Sequence, residues 1–128
     1  MDFRCLKTGT ILFLSILLVN CSSKKPTNVT VYKKNVEASY YADKFDGRKT
    51  ASGAIFSNRK LTAAHRKLAF GTQLRVTNVA NKKSVIVTVN DRGPFKKKRE
   101  LDLSKEAFME ITDNKNHGVL TVTIEIIK

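Results

Sequence analysis

Cysteine is nearly absent from this 128-residue chain, and its two copies are badly placed for a disulfide. Cys5 lies within an N-terminal apolar region and Cys21 directly after it, so the chain beyond residue 21 has no pair to cross-link. Acidic residues are scarce too. Eleven Asp and Glu stand against 24 Lys and Arg, for a formal charge of +13, and no acid occurs between Asp46 and Asp91. Such an excess suits a polyanionic or acid-bearing partner: nucleic acid, anionic lipid or a carboxylate-bearing cell wall. Charge alone does not choose among these, and a merely solvated basic surface is the equal alternative. No apolar run is long enough to span a bilayer. The longest, Ile11 to Val19, is interrupted by Ser15 and falls far short of the roughly 20 residues a mature spanning helix needs. Internal repeats and low-complexity tracts are missing as well.

The short apolar run instead has the layout of a secretory leader, with Arg4 and Lys7 as its positive start. It ends in Leu18-Val19-Asn20-Cys21, which resembles the lipobox of bacterial lipoproteins, although Asn20 replaces the small residue usual before the cysteine. That resemblance implies a signal peptide over 1–20, removed to leave a diacylated Cys21 that holds the protein on a bacterial membrane, facing the periplasm or cell wall. From Ser22 to Asn35 the only apolar residues are Val29, Val31 and Tyr32, too few to bury, so 21–35 is expected to be a flexible basic tether.

One compact domain is expected over 36–128. Strand patterns with period-two alternation occur at Val36 to Tyr41, Gln73 to Val79, Ser84 to Asn90 and Gly118 to Ile127. Val85, Val87 and Val89 share one face of the third, and Asn81-Lys82-Lys83 joins the second and third as a hairpin. Two short helices are predicted, Thr62 to Leu68 with Thr62 as cap and Ser104 to Ile111 with Ser104 as cap. Short strands and few helices give a mainly β domain, a small barrel or sandwich.

Three blocks carry the chemistry: Ala38-Ser39-Tyr40-Tyr41 through Gly47-Arg48-Lys49-Thr50-Ala51-Ser52-Gly53, then Leu61-Thr62-Ala63-Ala64-His65, then Val89-Asn90-Asp91-Arg92-Gly93-Pro94-Phe95. With Gly71-Thr72, Val76-Thr77-Asn78 and Leu101-Asp102-Leu103-Ser104, this ordered set resembles the rare lipoprotein A family over residues 37–128. The resemblance implies a six-stranded double-psi β-barrel. It also implies an endolytic lytic transglycosylase that cuts peptidoglycan between MurNAc and GlcNAc, leaving 1,6-anhydroMurNAc ends during wall remodelling and septation.

Asp91 follows the most apolar strand, where Gly93-Pro94 must turn the backbone, so on its own physics it caps turn amides or serves a rim site. The resemblance makes it the catalytic carboxylate, protonating the leaving glycosidic oxygen and then taking the proton of the sugar's own hydroxyl. It makes His65 an active-site residue that positions or polarises. Tyr41, Thr50, Ser52, Gly53, Asn90 and Arg92 are the expected lining of the sugar groove, by stacking and by hydrogen bonds to sugar hydroxyls. Lys96-Lys97-Lys98-Arg99 follows the site and either attracts wall carboxylates or is simply solvated. No cofactor, metal or nucleic acid is expected, and no division partner is named by the sequence. One departure stands out: the family's Ser-Gly is usually followed by a glutamate across the groove, and here Ala54 takes its place. The alternative reading is therefore a non-catalytic peptidoglycan-binding lipoprotein.

Overall fold

The structure, a computed structural model, describes residues 28–128; the expected signal segment, Cys21 and the first part of the expected tether lie outside the described residues. Six strands appear in chain order: β1 Val29–Tyr40, β2 Thr62–Ala64, β3 Gln73–Asn78, β4 Ser84–Asp91, β5 Arg99–Leu103 and β6 Leu120–Ile127. A 3-10 turn, Asp43–Phe45, follows β1, and one helix, α1 Lys105–Ile111, precedes β6. The strands close into a barrel in the order β1-β5-β2-β4-β3-β6. Pairs β1–β5 and β2–β4 run parallel and the other four neighbours antiparallel. This is the six-stranded double-psi β-barrel anticipated from the sequence.

The core follows from the alternation. Val85, Val87 and Val89 point inward from β4, meeting Leu74 and Val76 of β3, Leu101 and Leu103 of β5, and Val122 and Ile124 of β6. Each such side chain contributes roughly 1.5–3 kcal/mol on burial. Helix α1 starts where expected, with the Ser104 hydroxyl accepting from the Ala107 amide. It buries Ala107, Phe108 and Ile111, and the Phe108 ring meets Tyr40 at 4.6 Å between centroids.

Two expectations are corrected. The tether was expected to run to Asn35, but β1 begins at Val29 and its first half pairs with the end of β6, Val29 with Ile127 and Thr30 with Ile126. Backbone hydrogen bonds to an unpaired strand edge replace the apolar burial that the composition lacks. Two register slips and a positive φ at Asn35 let the strand bend along the barrel. The second correction concerns Thr62 to Leu68, which is not helical. Thr62–Ala64 is strand β2, inserted between β4 and β5, and the fully buried Ala63 and Ala64 serve it because only small side chains suit that position. Thr62 caps nothing; its hydroxyl is buried without a partner among the described residues. Strand β5 was not foreseen at all, since its charged first half reads as surface.

Candidate active site

Strict alternation along β4 would aim Asp91 into the core with Val85, Val87 and Val89. A register slip prevents this: Ala63 pairs with Val89 but Ala64 pairs with Asp91, leaving Asn90 out of the ladder. A bulge of this kind re-aims the next side chain, so Asp91 emerges on the outer face. There it borders an open cleft of about 780 Å³ between the end of β1, the residues after β4, and β5. Ser39, Tyr41, Arg92, Phe95 and Asp102 line the same cleft.

Asp91 is held at every side. Its Oδ1 accepts from the backbone amides of Ala51 and Arg92, both at 2.8 Å, and its Oδ2 accepts from the Tyr41 hydroxyl at 2.5 Å. The Tyr41 ring is fixed against Phe56 and Phe45, with centroids 4.2 and 5.7 Å away. Burial, the bond to Asp91 and the negative fields of Asp91 and Asp102 together push the Tyr41 phenol far above its ordinary value. It therefore remains a proton donor at any physiological pH. Arg92 is half-buried beside them, but its guanidinium donates to the carbonyls of His65 and Leu68 and lies 4.0 Å over the Phe70 ring. It forms a wall of the cleft rather than an ion pair with Asp91.

The other expected groove residues stand behind this site. Thr50, Ser52 and Gly53 belong to a tight loop closed by the Thr50 amide to the Ala54 carbonyl, 2.8 Å, and by the Thr50 and Ser52 hydroxyls, 2.9 Å apart. The loop is latched to β4 by Ala51 on Asp91 and by the Ser52 amide on the Asn90 carbonyl. These residues position Asp91, and none of Thr50, Ser52, Gly53 and Asn90 lines the cleft. Ala54 sits at the loop's exposed end and supplies no acid.

His65 also differs from expectation. Its backbone amide donates to the Asp91 carbonyl, but its imidazole is buried away from the cleft, edge-on to Tyr32. Nδ1 accepts from the amides of Lys67 and Leu68, so Nε2 carries the proton and donates to Glu100 at 2.8 Å. The side chain thus closes the turn whose carbonyls hold Arg92. Glu100, buried where the β1–β5 register slips, also binds Lys33 at 3.0 Å and Arg66 at 3.1 Å. Burial alone would raise its carboxyl, but Lys33 and His65 outweigh that and lower it. Arg66 in turn donates to the carbonyls of Pro94 and Arg99, fastening the cleft's rim.

Burial lowers the pKa of His65 below its ordinary 6.5, with Glu100 opposing and Arg66 and Lys33 adding to the shift. The unfolded chain then takes up a proton near pH 6.5 that the folded chain refuses, so stability present at neutral pH is lost as pH falls through that value. A thermal-melting series from about pH 7.5 to pH 5.5 is expected to show this decline, and His65→Gln should flatten it whatever its own stability. An equal slope in both proteins would assign the decline to other groups.

What the sequence reading missed is Asp102. It pairs in register with Ser39 across β1–β5, and the Ser39 hydroxyl donates to its Oδ1 at 2.6 Å. The alternation of Leu101-Asp102-Leu103 was the available signal, since it sets a carboxylate on the face opposite two buried leucines. Phe95, 89% exposed at the cleft, was likewise passed over.

Both the sequence and the fold have known relatives. Residues 33–124 match the family described as lytic transglycolase. The probable endolytic peptidoglycan transglycosylase RlpA of Treponema pallidum is 54% identical over 87 residues, covering 68% of this chain and 27% of that protein. The endolytic peptidoglycan transglycosylase RlpA of Rickettsia felis is 46% identical over 106 residues, covering 80% of this chain and 46% of that one. This chain thus spans less than half the length of these relatives. Among solved structures, the Streptomyces papain inhibitor superposes with a TM-score of 0.61 at 20% identity, over 79% of this chain and all of the inhibitor, a likeness of fold. An expansin of Clavibacter michiganensis gives 0.57 at 26% identity, over 79% of this chain and 51% of that one. With a match that reaches from within β1 to within β6, the chain belongs to the lytic transglycolase family.

Proposed function

We propose that this chain is an endolytic peptidoglycan transglycosylase, cutting between MurNAc and GlcNAc to leave 1,6-anhydroMurNAc ends in the remodelling of the wall at division. The observation that carries the reading is the Asp91 carboxylate, re-aimed by a bulge into an open cleft and fixed by two amides and a phenol. The relatives' names supply the substrate. In the reaction the C1–O bond between the sugars breaks and the same sugar's O6 bonds to C1, so one proton moves from O6 to the leaving oxygen. A carboxyl can deliver and recover that proton, and water is not consumed. Phe95 offers a flat face to a pyranose, while Arg48, Lys49, Lys96 and Arg99 bring positive charge to the cleft for the carboxylates of the wall. Attachment to a membrane of the cell envelope through lipidated Cys21 is part of the same proposal; the basic start, short apolar run and following cysteine support it.

Digestion of purified sacculi by the full chain in ¹⁸O-labelled water is the direct test. Anhydro-ended fragments free of the label are expected, with the protein recovered in the membrane fraction of its cells. Labelled reducing ends would mean hydrolysis, and no fragments at all would leave a binding module. Recovery in the soluble fraction would remove the anchor.

A further inference from the structure

We propose that Asp102 is the proton donor of this site, so that the cleft works with two aspartates of divided role although the family's glutamate is replaced by Ala54. The inference rests on the transglycosylase reading above and assigns its acid step.

Geometry comes first. Strand β2 lies between β4 and β5, and its Ala64 is paired with Asp91 on one side and Asp102 on the other. The two aspartates therefore stand level, two strand spacings apart, about 10 Å between Cα atoms. Residues directly opposite in a ladder share a face, and both side chains border the one cleft. Ala64 contributes only a methyl group between them. Gly93 lines the same gap: a Cβ built there would lie 3.9 Å from Asp102 Oδ2, and its φ of 129° disfavours any side chain.

Hydrogen bonding then separates their roles. Oδ1 of Asp91 faces two backbone amides, which only donate, and Oδ2 receives the Tyr41 hydroxyl. Asp102 accepts a single bond, from Ser39 to Oδ1, and its Oδ2 has no hydrogen-bond partner among the described residues. Of the four oxygens of the two carboxyls it is the one that accepts no hydrogen bond among the described residues. A serine hydroxyl donates to a carboxylate and accepts from a carboxylic acid, so Ser39 can serve Asp102 in either protonation state. The amides on Asp91 offer no such exchange.

The step balances. Asp102 Oδ2 passes its proton to the glycosidic oxygen as the C1–O bond breaks. The sugar's O6 bonds to C1, and its proton goes to the second lone pair of Asp91 Oδ2. Both aspartates then reset by exchange with water in the open cleft.

Turnover of glycan strands should be compared with that of an aryl glycoside of the same sugar, whose nitrophenolate leaves without protonation. Asp102→Asn is expected to lose about 10²–10⁴-fold on strands and stay within a few-fold of wild type on the aryl glycoside, while Asp91→Asn loses both. Retained aryl activity also shows the variant folded. Equal loss on both substrates, or no loss on either, would overturn Asp102 as donor. A wild type inert on both substrates would instead overturn the transglycosylase reading, and the donor with it.

Discussion

Asparagine at position 91 is expected to cut release of anhydro-ended fragments from sacculi about 10³-fold, within the range for loss of a positioned acid–base group. The substitution is nearly isosteric. Asn Oδ1 can still accept from the Ala51 and Arg92 amides, and its NH₂ group can donate to the Tyr41 hydroxyl oxygen, so the latch of the Thr50–Ala54 loop survives. What disappears is the negative charge and the capacity to take a proton. Binding of sacculi should remain, because the cations and Phe95 of the cleft are untouched. Fragment release is measured by chromatography of muropeptides, and binding by co-sedimentation. Equal release by both proteins would exclude catalysis at Asp91.

Removing Glu100 is expected to have the largest effect on stability. Its carboxylate is buried against His65, and Glu100→Ala leaves the imidazole N–H without its acceptor and takes the partner from the half-exposed Lys33 and Arg66. Because Lys33 and Arg66 can turn to water, the cost is expected near the lower end of the roughly 3–5 kcal/mol for breaking a buried ion pair from one side, still a sizeable share of the roughly 5–15 kcal/mol available to a small domain. Arg66 also loses the partner that orients it toward Pro94 and Arg99, so the cleft's rim should loosen. Lys33→Ala, at the exposed edge of the cluster, should cost under about 1 kcal/mol. Urea denaturation of the two variants decides the matter. Similar small losses would make Glu100 a surface acid in energetic terms.

Much of the barrel was legible because its strongest strands obey a simple period. Val85, Val87 and Val89 announced β4, and Ser104 announced α1. The failures share one cause, which is that pairing overrode local composition. Val29 to Asn35 is polar yet becomes strand because β6 presents an unpaired edge. Ala63 and Ala64 suit a helix locally yet fill the narrow gap between β4 and β5. Asp91 was identified as a residue, but its direction depends on Asn90 dropping from the ladder, which no pattern in the strand reveals. The imidazole of His65 lies with Glu100 for the same reason, since the β1–β5 slip leaves Glu100 out of the ladder, where its carboxylate bonds His65. Asp102 lay in plain view between two leucines, but a half-exposed acid in a strand reads as surface until its neighbours are known.

The early start of β1 at Val29 shortens the leash that the proposed anchor at Cys21 would give this domain. With lipid on Cys21, about seven residues separate the anchor from Val29, and a fully extended chain of that length reaches no more than about 25 Å. A leash ending at Asn35 would have reached about twice as far. Under the proposed lipidation the cleft would be kept to the layer of wall nearest the membrane, and its access to strands would be set by where that membrane lies rather than by diffusion through the wall.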